Sequence, residues 1–301
     1  MTSLAVSLGT LELRSPLIAA AGTVGSVYDF ADVDALAVYG AAVAKSVSHE
    51  PWPGRAPPRL APAGQGMLNS IGIQNPGIDA WRETMPELST LPVPVWGSAV
   101  GTTPAEFALV AKGLAAAGVA AVEVNLSCPN LEEGSMFALN PVASGRVIAA
   151  VRESTDRPVG AKLSPNSENI VAVARAVTEA GADFLVLTNT VWGMGIDLTT
   201  RKPKLSGVIG GYSGPPVKPV ALRCVWEVAG SLDVPIVGCG GIRTGEDVIE
   251  YFLAGANAVA VGTAHFAEPR VGRRILREVD AWCRREGVGA LSELTGGARE
   301  K

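Results

Sequence analysis

Eight short apolar runs recur along the chain, and each is followed by a polar-apolar segment of helical spacing. The runs are LIAAAG (17–22), AAVAKSVS (41–48), PVWGSAVG (94–101), AAVEVNLS (120–127), PVGAKLSP (158–165), FLVLTNT (184–190), PIVGCGGI (235–242) and AVAVGTAHF (258–266). Near-continuous apolar character suits strands buried on both faces, as a parallel sheet requires. Between them, Ile170, Val173, Ala174 and Val177 fall on one face of a helix, with Ser167 as the expected N-cap and Gly181 as the stop. Val271, Ile275, Val279 and Trp282 form a second such stripe, and TPAEFALVAKGLAAAG and RTGEDVIEYFLAG read the same way. Eight strand–helix units predict a closed (β/α)8 barrel, an α/β fold of one domain over residues 1–301. A doubly wound open sheet is the alternative, weakened because no G-x-G-x-x-G turn follows the first strand.

Two connections exceed ordinary barrel loops. Residues 49–78 follow the second strand and residues 191–215 the sixth. Both leave the C-terminal ends of strands, where barrels build their sites, so they are expected to wall or cover a site.

Composition narrows the function. The 301 residues are 48% hydrophobic and 18% charged, which suits a large core rather than a disordered chain. Net charge is −4, with no basic run and no aromatic-basic interleaving, so nucleic acid is not an expected partner. No apolar run approaches the roughly 20 residues of a membrane span, and no signal peptide is read at the N-terminus. The four cysteines, Cys128, Cys224, Cys239 and Cys283, are far apart. That argues against a metal or iron–sulfur site built by this chain alone and favours a reducing, cytoplasmic setting.

Candidate chemistry gathers at the strand ends. Cys128 lies just past strand four, where it is either an inert filler or a proton-transfer residue. Asn125 and Asn130 flank it, and Asn69 and Asn189 occupy matching places. Four carboxamides at one barrel mouth suit a ligand rich in C=O and N–H groups, such as a pyrimidine. Lys45 and Lys162 sit in otherwise apolar strands, where each needs an anion. A buried glutamate, a ligand's negative charge, or Schiff-base chemistry would each answer that need. GCGGI and VGTAHF end strands seven and eight, where barrels often hold phosphate on backbone N–H groups. Cys239, between those glycines, reads as packing, and His49 and His265 read as lone residues.

Together these stretches resemble the dihydroorotate dehydrogenase family. The likeness runs from SPLIAAAGTVG to VGTAHF and is most specific in KSVSHEPWPGRAPPRL, MLNSIGIQNPG, NLSCPN, TRKPKLSGVIGGYSGPPVKPVALR and GCGGI. The resemblance implies an FMN-binding barrel that oxidises dihydroorotate to orotate in pyrimidine synthesis. It implies Cys128 as the base that removes the C5 proton, with hydride passing from C6 to N5 of FMN. A cysteine there marks class 1. Lys45, Asn69, Ser70, Ile71, Gly72, Ile73, Asn125, Asn130, Asn189 and Thr190 are implied at orotate. Ala21, Gly22, Lys45, Ser46, Ser98, Asn125, Lys162, Thr188, Gly214, Gly240, Gly241, Gly262 and Thr263 are implied at FMN, with Gly240, Gly241, Gly262 and Thr263 at its phosphate.

The loop after Cys128 and GGYSGPPVKPVAL are more similar to type B, which passes electrons to NAD through a subunit carrying FAD and an iron–sulfur cluster. Type A instead reduces fumarate directly. A homodimer core is the family default. Two departures stand out: Ser98 replaces an asparagine usual at FMN in type B, and EEGSMFALNP differs from the usual F-G-T stretch. From the residues alone, three other readings remain: an FMN barrel acting on another dihydropyrimidine, a redox-free aldolase or isomerase using Lys162, and a non-catalytic scaffold.

Overall fold

A computed structural model describes residues 2–127, 129–130 and 135–299. All eight apolar runs form parallel barrel strands: β1 (Leu17–Ala19), β2 (Ala41–Val43), β3 (Val95–Ala99), β4 (Ala121–Asn125), β5 (Val159–Leu163), β6 (Phe184–Leu187), β7 (Ile236–Cys239) and β8 (Ala258–Val261). They pair in sequence order, and β8 returns to β1 to close the barrel. The alternative of an open doubly wound sheet is thereby excluded. Closure without an edge satisfies every strand's backbone groups inside the ring.

Helices cover the barrel: α1 (Ile78–Thr84), α2 (Pro104–Ala116), α3 (Pro141–Ser154), α4 (Ile170–Glu179), α5 (Lys218–Ala229), α6 (Gly245–Ala254), α7 (Ala264–Ala267) and α8 (Val271–Glu286). The first crossover departs from the expected helix: it is a 3-10 segment over Val33–Val38. Its sequence, DVDALAVYG, holds too short an apolar stripe to sustain α-helical turns. On α4 the predicted face is buried, but the N-cap is Asn169, whose Oδ1 accepts from Ala172 N at 3.0 Å. Ser167 lies two residues before that cap, because Asn169 sits nearer the first periodic residue. Thr244 and Asp247 form a capping box that starts α6 directly behind β7.

The barrel interior is close-packed. Phe184 on β6 packs against Trp96 on β3, ring centroids 5.0 Å apart. Gly160 on β5 makes room for it: a Cβ there would lie 2.2 Å from the Phe184 ring.

The two long connections do not form separate loops. Leu60–Ala63, Gly66–Asn69, Gly210–Ser213 and Val191–Gly193 assemble into one antiparallel four-stranded sheet outside the barrel. Asn69 stands opposite Gly211, and Leu68 opposite Tyr212. A small core of Ala61, Leu68 and Leu205 holds this sheet together. Residues 142 apart in sequence, such as Asn69 and Gly211, are thus zipped together over the C-terminal ends of β2 and β6.

Among the described residues no helix is long and apolar enough to cross a membrane.

Gly160→Ala is expected to destabilise the protein by about 1–3 kcal/mol, the usual range for overpacking a filled core. Urea unfolding checks it: an unchanged midpoint would mean that Phe184 moves aside without cost.

Candidate active site at the barrel mouth

The C-terminal rim of the barrel and the outer sheet enclose a cavity of about 1100 Å³. Its position follows from the topology. Parallel strands bring all eight C-terminal ends to one rim, and side chains just past those ends point into a common space.

Most residues that the resemblance implicates line it. From the second-strand excursion come Asn69, Ser70, Ile71, Gly72 and Ile73; from β4 and β6 come Asn125, Asn189 and Thr190. Ala21, Gly22, Lys45 and Ser46 line it from the ends of β1 and β2, Lys162 from β5, and Thr188 from the end of β6. Gly214, Gly240, Gly241, Gly262 and Thr263 complete the rim. Ser98 does not reach it. That side chain is fully buried, and its Oγ shares a 2.9 Å hydrogen bond with Ser46 Oγ, so it stands behind the lining. Cys128 lies outside the described residues. Asn130 is described only in its backbone, where Pro129–Asn130 pairs with Ser135–Met136.

The carboxamides are linked. Asn189 Nδ2 donates to Asn125 Oδ1 at 3.1 Å, and Asn189 Oδ1 accepts from Thr190 N at 2.8 Å. Asn69 Nδ2 donates to Gly211 O at 3.2 Å, which ties it to the opposite excursion. Gly211 must be glycine, since a Cβ would fall 2.2 Å from Thr190 Oγ1. Ser127, next to Cys128, also lines the cavity, and its buried Oγ has no hydrogen-bond partner among the described residues.

The Ser70–Ile73 loop is held from outside. Asn75 Oδ1 accepts from Ser48 N at 3.0 Å and from Gly77 N at 2.9 Å, and Asn75 Nδ2 donates to Ile73 O at 2.8 Å. Ile73 has φ +58°, a conformation that β-branched residues rarely adopt. Such a backbone persists only where surrounding contacts impose it.

Lys162 meets the first of its expected partners. Its Nζ lies 3.5 Å from Glu123 Oε1, and both side chains are buried. Burial opposes the Lys162 charge, but the Glu123 carboxylate outweighs it and holds the ammonium above its ordinary pKa. Cys239 lines the cavity, and burial pushes its thiol up, so it is protonated at neutral pH and is no nucleophile.

Several lining residues escaped the sequence reading. Asn166, just after β5, donates to Thr190 O at 3.1 Å and accepts from Trp192 N at 2.9 Å. It is an asparagine at a strand end, the same signal that marked Asn125 and Asn189. Ser213 accepts a 2.9 Å hydrogen bond from Thr263 Oγ1, and Thr23 lines the cavity beside β1. His265 is hydrogen-bonded through both ring nitrogens. Its Nδ1 is 3.0 Å from Thr23 Oγ1 and its Nε2 is 2.8 Å from the Tyr39 hydroxyl. Thr23 Oγ1 already donates to Ala20 O at 2.8 Å, so Nδ1–H donates to it and Nε2 accepts from Tyr39. No local pattern links residues 242 positions apart.

A buried, partly polar cavity at the C-terminal face of a (β/α)8 barrel, walled by glycine-rich rims and linked carboxamides, defines a small-molecule barrel enzyme. The sequence profile described as dihydroorotate dehydrogenase matches residues 3–282, and the chain belongs to that family, a family of oxidoreductases. It is 45% identical over 294 residues to the "Dihydroorotate dehydrogenase B (NAD(+)), catalytic subunit" of Pelobacter propionicus, covering 97% of both chains. Proteins of the same name from Geobacter sulfurreducens (45% over 296 residues, 97% of both chains) and Anoxybacillus flavithermus (44% over 299 residues, 98% of this chain and 96% of that one) are also similar. The resemblance read from the motifs, to class 1 and within it to type B, is the one these relatives carry.

Burial lowers the His265 pKa to about 4 from its ordinary 6.5. Neutral His265 therefore contributes stability that is fully present above about pH 6.5 and is lost as pH falls toward about 4. By then the loss is about 3 kcal/mol. Unfolding free energies of wild type and His265→Asn should converge across that window. Parallel pH profiles would show that His265 is not held neutral by its surroundings.

Proposed function

We propose that this chain is the FMN-dependent catalytic subunit that oxidises dihydroorotate to orotate. It works as one barrel domain in the cytoplasm, within a homodimer core, and passes electrons to NAD through a partner subunit that carries FAD and an iron–sulfur cluster. The observation that carries the reading is the bonded pair Asn125 and Asn189, set with Asn69 in one cavity beside the stretch that leads into Cys128. The relatives' name, a catalytic subunit using NAD, supports the partner.

The residues present fit FMN. A cavity of about 1100 Å³ exceeds the size usual for one small ligand and suits a flavin with a reactant stacked on it. Gly214, Gly240 and Gly241 have φ of +99°, +141° and +71°, which open the rim to close backbone approach. Backbone N–H groups there, with the Thr263 and Ser213 hydroxyls, suit a phosphate. Ala21, Gly22, Ser46, Thr188 and Gly262 give the cavity a small-residue lining, with Ser98 bonded to Ser46 from behind. When bound, FMN would supply the two-electron acceptor.

The chain's own residues do the rest. Asn69, Asn125, Asn130 and Asn189, with Thr190 and the backbone of Ser70 to Ile73, read the pyrimidine's edge, each pairing a donor with an acceptor. Lys45 offsets the substrate carboxylate. Lys162, on the cavity lining, would offer positive charge to a bound flavin ring. Cys128, the residue after Ser127, removes the C5 proton as thiolate and returns it to solvent. The partner subunit supplies the exit for electrons.

Cys128→Ala is expected to slow flavin reduction by dihydroorotate roughly 10²–10⁴-fold, the usual worth of a general base, with FMN still bound. Rapid-mixing absorbance under anaerobic conditions reads it. Turnover of dihydrouracil but not dihydroorotate would move the substrate to another dihydropyrimidine. Reoxidation by fumarate without a partner would remove the NAD route.

A further inference from the structure

The least expected group in the barrel interior is a carboxylate. Glu123 sits on β4, an otherwise apolar strand, and is 2% exposed. In the β4–β5 register it stands opposite Gly160, one pleat below Asn125 and Lys162. It does not itself line the cavity, whereas Lys162 does. Its Oε1 accepts no hydrogen bond from any described residue, so the 3.5 Å contact with Lys162 Nζ is held by charge. Buried pairs of this kind rarely add stability over apolar side chains of similar volume. Fold stability alone therefore does not account for it.

We propose that Glu123 is a positioning residue for Lys162: its carboxylate keeps the ammonium charged and drawn to the cavity floor in both oxidation states of the flavin. The inference rests on the FMN reading above. Among the described residues, Asn125 brings a carboxamide from the position paired with Lys162 on β4, and the Ser98–Ser46 pair, with Ser98 opposite Glu123, carries neutral hydroxyls. Cys239 on β7 brings a thiol that burial keeps protonated. Lys45, a second cation, lines the same cavity. The carboxylate among the described lining residues, Glu268, is taken by Arg274 at 2.7 Å. Glu123 is thus the counter-charge that Lys162 has against its burial.

That arrangement fixes how protons follow electrons. With Glu123 in place, Lys162 carries its proton before and after two electrons enter the ring, so reduction draws no proton to this side chain. Without it, burial is the strongest remaining influence and favours the neutral amine. The anionic reduced ring then recruits a proton to Lys162, and reduction takes up one more proton per two electrons.

The test is the midpoint potential of bound FMN, followed by spectroelectrochemistry from about pH 6 to about pH 9. In Glu123→Gln holoenzyme the potential should fall more steeply with pH than in wild type, by one extra proton per two electrons. The double variant E123Q/K162R should restore the wild-type slope, because a guanidinium stays charged without a partner. Glu123→Asn, equally neutral and smaller, serves if Glu123→Gln does not accumulate folded. Wild-type slopes in the FMN-loaded neutral variants overturn the inference and leave the cofactor reading intact. Failure of wild type to bind FMN overturns both, and it is seen before any variant is made.

Discussion

Closure of the parallel ring is the constraint on which everything else depends. Helical crossovers make every strand run parallel to its neighbours, and with β8 paired to β1 all eight end at one rim. Side chains that are distant in sequence, such as Asn69, Asn125 and Asn189, then have nowhere to go but a common mouth. The outer sheet adds a second closure. Pairing of Gly66–Asn69 with Gly210–Ser213 locks the two excursions to each other, so the wall carrying Asn69 is fixed by hydrogen bonds rather than left as a free loop.

Polarity inside the ring is layered. Deep in the barrel, Trp96 and Phe184 fill space with apolar rings. Above them Lys162, with Glu123 one pleat beneath it, Cys239 and the Ser46–Ser98 pair form a buried polar floor. At the rim, carboxamides and glycine backbones face the cavity. Charge held at the floor and neutral readers at the edge suit a planar ligand whose ring, rather than its rim, gains negative charge.

Much of this was legible in the sequence. The strands were, because burial on both faces leaves runs with hardly any polar interruption, and those interruptions, Lys45, Lys162 and Asn125, marked the site. The excursions were recognisable by length, but not their pairing, since no local signal joins Asn69 to Gly211. Asn166 carried the right signal and was passed over because it follows a proline outside the apolar run. His265 and Glu123 were hidden for a different reason: their partners are set by the tertiary fold, His265 with Thr23 and Tyr39, Glu123 with Lys162. The N-cap of α4 fell to the competing asparagine, two residues closer to the helix.

The most direct test is a crystal structure of the protein with FMN and orotate. The account predicts orotate stacked on the flavin ring, with the carboxamides of Asn69, Asn125 and Asn189 at its edge and the Cys128 sulfur on the face away from the flavin. Orotate bound elsewhere, or the Cys128 sulfur turned away from that ring, would contradict it.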